Sequence, residues 1–145
     1  MQNLNLAFGF DEVEGIPIGA LLSTMNRRIE VLLGRDYMLG HAYFMPLEEV
    51  PSLELLAEVF RRQVLPLLQE YFFADWQKIA WVLNDHRKPA ELQFLRQANA
   101  GMVELLGEGV DLPGEGRLWM ISEPAFLKPE SYLAIIKAPQ STKFS

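Results

Sequence analysis

The residues best suited to chemistry gather in RDYMLGHAYF, Arg35 to Phe44, which holds a cation, a carboxylate, a glycine, a histidine and three aromatic side chains. Gly40 and His41 support two readings. One is a working element of an active site. The other is a tight turn, in which Gly40 takes a backbone conformation that other residues resist and His41 hydrogen-bonds a helix end. Around them lie local basic groups, Arg27, Arg28 and Arg35, with Arg61 and Arg62 further on. Pairs of this kind are ordinarily solvated helix faces. A guanidinium can also grip a phosphate through two parallel hydrogen bonds, so Arg27 and Arg35 stay open as phosphate contacts. For Arg28 the solvated face is the preferred reading.

Self-contained catalytic machinery is missing from the sequence. It has no GxxxxGK[ST] loop to cradle phosphates, no GxGxxG after a strand, no HExxH, no GxSxG and no EF-hand loop. The two histidines, His41 and His86, lie in different linkers, so a two-histidine metal site is not expected. Glu48 and Glu49 read as solvated charges rather than an acid/base dyad. Zero cysteines exclude disulfides, thiolate zinc sites and cysteine nucleophiles, and fit a cytoplasmic location.

The elements that would position these residues follow from periodicity. Ile18, Leu21, Leu22, Met25, Ile29, Leu32 and Leu33 make one apolar helical stripe, with Pro17 suited to its first turn and Gly34 to its stop. Asn26, Arg27 and Glu30 are placed on the opposite, polar face. A second stripe runs from Leu53 to Phe72, with Ser52 as N-cap. Pro66 lies inside it and should kink or split the helix at Leu65. Asp75 caps a third helix carrying Trp76, Ile79 and Leu83. NDHRKP, Asn84 to Pro89, reads as a polar linker. Tyr43, Phe44, Tyr71, Phe72, Trp76 and Trp81 are assigned to the core, with Trp81 the one expected to face solvent.

Elsewhere the signals are shorter. LNLAFGF alternates like a strand, ELQFLRQANAGMVELLG fits a helix or a strand, and VDLPGEG is a loop. RLWMIS and SYLAIIKA read as strands, separated by EPAFLKPE, and PQSTKFS as a frayed tail. The fold class is mainly α with a small C-terminal β element. The expected organisation is an N-terminal remnant or strand over 1–16, a helical unit over 17–88, a mixed extension over 89–138 and a tail over 139–145. The net charge of −6 offers no general attraction to nucleic acid or anionic membrane, and no apolar run approaches the ~20 residues that span a bilayer.

Three stretches together resemble a known family. STMNRRIEVLLGRDYMLGHAYF, EVFRRQVLPLLQEYFFADWQKIAWVL and RLWMISEPAFLKPESYLAII look like the C-terminal part of McrB-type GTPases, the AAA+ motor subunits of modification-dependent (5-methylcytosine) restriction systems. The resemblance is strong from Pro17 to Leu83 and weaker from Arg117 to Ile136. It implies a lid, a small helical subdomain that closes over nucleotide and packs on the next subunit of a ring. It also implies GTP or ATP with Mg in the complete family member, an McrC-type nuclease partner, and no direct DNA contact by this part. Under it, Gly40, His41, Arg27 and Arg35 become the candidate nucleotide-binding residues. With the P-loop motifs absent, the chain is expected not to hydrolyse nucleotide alone, whether it is a fragment, a split gene product or a lid-like module without its motor. The competing expectation is a free-standing helical interaction module, with a small-molecule-binding helical domain behind it.

Overall fold

The computed structural model describes residues 12–97 and 119–138. The strand expected in LNLAFGF, the loop VDLPGEG and the tail PQSTKFS lie outside the described residues. So does most of the helix-or-strand segment beyond Gln97.

The described chain opens with a hairpin, β1 (Glu12–Val13) paired antiparallel to β2 (Ile16–Pro17). Glu14 and Gly15 turn it at φ 51° and 88°, the positive values that a tight two-residue hairpin needs. Pro17, at φ −74°, leads directly into α1 (Ile18–Leu33). The expected stripe is the buried face of α1: Ile18, Leu21, Leu22, Met25 and Ile29 are inaccessible or nearly so. Gly34 stops the helix at φ 105°, a conformation that would strain any side chain, and its N–H donates to Glu30 O at 2.9 Å.

The second stripe forms α2 (Leu53–Val59), a wider π turn over Phe60–Val64, and α3 (Leu65–Tyr71). The break expected at Leu65 falls there. Pro66 has no N–H to donate, and its ring would press on the carbonyl four residues back; the wider turn makes the room. Ser52 Oγ caps α2 by accepting from Leu55 N–H at 3.0 Å, and Glu14 reaches across from the hairpin to accept from Leu53 N–H. Asp75 likewise caps α4 (Trp76–Val82) through Lys78 N–H.

A short antiparallel pair follows, β3 (Leu95–Gln97) with β4 (Trp119–Ile121). The expected strand SYLAIIKA is instead helix α5 (Pro129–Ile136). A short apolar run fits either period, and here Pro129 presets the first turn while Tyr132 and Ile135, three apart, are both buried. EPAFL, Glu123–Leu127, makes a 3-10 turn before it.

The core is one apolar cluster that joins α1 to α4 with the segment beyond Pro89. At its centre, Phe60 stacks on Phe94 and meets Phe44 and Tyr132 edge-on, and Phe94 also meets Phe126. Burying each such ring contributes on the order of 2–3 kcal/mol. Tyr132 Oη donates to Phe126 O at 2.7 Å, which satisfies the one polar atom in the group.

NDHRKP is only in part a solvated linker: His86, Arg87 and Pro89 are exposed, but Asn84, Asp85 and Lys88 are buried. Asn84 sits in the left-handed region at φ 63° and donates through Nδ2 to Ala134 O at 2.8 Å, tying α4 to α5. Asp85 is buried, accepts from Phe94 N–H and Leu95 N–H, and pairs with Lys88 Nζ at 2.9 Å. Lys88 Nζ also lies 4.0 Å from the centre of the Phe94 ring. These groups are polar by type but meet their partners inside the fold. No helix among the described residues is long and apolar enough to cross a membrane.

Candidate functional site

The path from α1 to α2 builds the surface that carries Gly40 and His41. After Gly34 the chain makes one 3-10 turn, Arg35–Tyr37, runs extended through Met38, buries Leu39, and enters a longer 3-10 segment, His41–Glu48. Two clamps hold this path. Asn26 faces inward, not out to solvent as its place on the polar face suggested: Leu39 N–H donates to its Oδ1 at 2.6 Å, and its Nδ2 donates back to Leu39 O at 3.0 Å. From the other side Tyr71 Oη donates to Met38 O at 3.3 Å, while its ring meets Tyr37 edge-on at 5.4 Å. The corner is therefore fixed by α1 and α3 immediately before the exposed Gly40–His41 pair.

Gly40 itself takes φ −81° and ψ 148°, ordinary extended backbone, and a Cβ built there would meet nothing within 4 Å. The turn reading's special conformation at Gly40 is therefore not found, whereas Gly34 takes the positive φ expected of the helix stop. Nothing local to the fold requires glycine at position 40, and the same openness gives a ligand or a neighbouring chain close access to its backbone.

The candidate arginines go to different places. Arg35 is exposed at the start of the loop and pairs with Glu30 at 3.1 Å, a surface contact of small energetic value. Arg27 lines a separate groove of about 480 Å³ between α1 and the α4 corner, shared with Arg28, Trp81, His86 and Arg87, none of which belongs to the Gly40–His41 loop. Arg28, read as a solvated cation, is half-buried and donates to Val82 O at 3.0 Å. Burial, and then Arg87, lower its affinity for its proton. Burial, Arg87 and Arg28 lower that of His86 in the same way. Trp81 is half-buried rather than the exposed aromatic. Among the described residues the most exposed aromatic ring is that of Phe73, 92% accessible, in the turn before α4.

Arg61 and Arg62 are salt-bridged surface cations: Arg61 holds Glu58 and Glu123, and Arg62 holds Glu58. Among the described residues no group of three or more His, Asp or Glu gathers as metal ligands. Asn26 and Asp85 escaped the sequence reading. The usable signal for Asn26 was its fixed place in N-x-R-I ahead of the R-D-x-x-x-G-H stretch; for Asp85 it was an Asn-Asp pair at a helix end.

Residues 17–80 match the family model described as McrB, alpha-helical lid domain. The match covers α1, the clamped corner, α2, α3 and most of α4. No curated protein matches the chain.

Proposed function

From the match of residues 17–80 to the McrB helical lid model, we propose that this stretch is an McrB-type lid and that the chain acts as the lid portion of an AAA+ nucleoside triphosphatase in a modification-dependent restriction system. It closes over a nucleotide, GTP or ATP with Mg, that a P-loop core holds, and it contributes to a ring with neighbouring subunits and an McrC-type nuclease. The Gly40–His41 corner is the nucleotide-facing edge, with Arg35 beside it. The observation that supports this reading is the coincidence of the family match with the doubly clamped corner. Asn26 and Tyr71 hold the path up to Leu39, and Gly40 and His41 follow it exposed to solvent, with no local need for glycine at position 40. A preorganised, open backbone is what close approach to a phosphate or ribose requires.

The chain supplies no P-loop, so hydrolysis belongs to the assembled system. The test measures nucleotide turnover by the purified chain, then again with a protein carrying the P-loop core. No turnover alone and a stimulated rate on mixing are expected. Turnover by the chain alone rules the lid reading out. In the mixture, His41→Ala and Gly40→Val should weaken nucleotide binding, and Gly40→Val should do so without changing the melting temperature of the isolated chain.

A further inference from the structure

The groove between α1 and the α4 corner is an unusual concentration of like charge in a chain of net charge −6. Arg27, Arg28 and Arg87 line it with His86, and no carboxylate lines it with them. Four cations elsewhere on the described surface, Arg35, Arg61, Arg62 and Lys78, each hold a carboxylate within 4 Å. Arg27, Arg28 and Arg87 form no ion pair among the described residues. Asp85, next to His86 in sequence, is already engaged by Lys88 and two backbone N–H groups. The mutual repulsion of Arg28 and Arg87 is an unfavourable term that an incoming anion would reverse. Apolar surface borders the cations: Trp81 forms a wall, and Val31, 84% accessible, stands out on the rim.

We propose that this groove is a docking site for a short acidic segment of another polypeptide, in which a carboxylate pairs with Arg27 and Arg87 and an adjacent bulky apolar side chain covers Trp81 and Val31. Charge complementarity and size select this occupant. A nucleic acid needs a stripe of cations along several phosphates and would be repelled by the surrounding negative charge. A bare inorganic anion would leave the apolar walls uncovered. A volume of about 480 Å³ accommodates a few side chains. The inference does not depend on whether the lid closes over nucleotide, since the groove shares no residue with the Gly40–His41 loop.

The experiment titrates the full chain with a short acetylated peptide alternating glutamate and leucine, and with the same peptide carrying glutamine for glutamate. Binding is followed by calorimetry and by tryptophan fluorescence, with Trp81→Phe identifying the responding ring. The glutamate peptide should bind at least about tenfold more tightly than the glutamine peptide. Arg27→Glu, a change at an exposed position, should cost a further tenfold or more, and Val31→Ser a smaller loss. Arg62→Glu, on another surface, should change nothing. Equal affinity for the two peptides, no binding of either, or indifference to Arg27→Glu overturns the proposal. So does tighter saturation of the groove by GTP or by a single-stranded oligonucleotide.

Discussion

Asn26 on α1 satisfies both backbone groups of Leu39, thirteen residues away, accepting from its N–H at 2.6 Å and donating to its carbonyl at 3.0 Å. One side chain thereby sets where the chain leaves α1 and how the Gly40–His41 pair meets solvent. A buried backbone group stripped of its partner costs about 1–3 kcal/mol. Asn26→Leu, which keeps the volume but removes both hydrogen bonds, should destabilise the chain by about 2–3 kcal/mol in urea unfolding. Arg27→Ala next to it should change stability by less than about 0.5 kcal/mol.

The two glycines flanking this loop should respond oppositely. Gly34 sits at φ 105°, where a side chain is strained, whereas Gly40 sits at φ −81° with open space around its Cα. Gly34→Ala should cost about 1–2 kcal/mol, and Gly40→Ala should be neutral within about 0.5 kcal/mol or slightly stabilising. Thermal unfolding of both variants measures the difference. A strongly destabilised Gly40→Ala would contradict the assignment of Gly40 to access rather than conformation.

Phe73 and Ala74 both adopt positive φ, 53° and 61°, in the turn between α3 and α4. A residue with a Cβ pays on the order of 1 kcal/mol there. Ala74→Gly should raise stability by up to about 1 kcal/mol, the gain being reduced by the extra freedom of glycine in the unfolded chain. Chemical denaturation should show a higher midpoint with an unchanged slope.

Burial, partly offset by Asp85, lowers the Lys88 ammonium from 10.5 to about 8. Between those values the unfolded chain holds the proton that the folded chain has released, so this group makes stability rise with pH across the window. The gain should reach about 2 kcal/mol by about pH 9.5, before tyrosine ionisation intervenes. Asp85 acts in acid with the opposite sign. Burial raises its pKa from 3.8, so the folded chain holds the extra proton and stability falls as pH climbs through that shifted range. Denaturation of the native chain and Lys88→Met at matched pH isolates the alkaline effect, which the variant should lack.

Tyr132 is buried among Phe60, Phe94 and its Phe126 carbonyl partner, and burial pushes its phenol far above the usual range. In an alkaline absorbance titration of the four tyrosines, this one should ionise only as the chain unfolds. Tyr132→Phe should remove that late step and cost about 1–2 kcal/mol.

Much of the helical frame was legible before any coordinates. The α1 stripe, the stop at Gly34, the caps at Ser52 and Asp75 and the break ahead of Pro66 each depend on residues within one or two turns of each other. The order of motifs that resembles an McrB-type lid was legible too, across three separate stretches. The candidate site was legible only as a stretch. RDYMLGHAYF was identifiable, but the special backbone considered for Gly40 was not needed there, because spacing cannot tell an extended glycine from one that must take positive φ. SYLAIIKA was misread since a short apolar run carries both periods, and Tyr132 and Ile135 chose helix by finding a core.

Sequence alone determined the elements whose signals are local: an apolar period, a capping oxygen, a missing proline N–H. The tertiary structure decided the fate of the polar groups. Asn26 turned inward to Leu39, Arg28 reached Val82, and Asn84 reached Ala134, partners separated by 13, 54 and 50 residues. Each of these three side chains leaves water because backbone distant in sequence arrives to satisfy it. That long-range pairing, invisible in spacing, buried Asn84 at the head of NDHRKP and left Arg27, Arg28 and Arg87 around one groove.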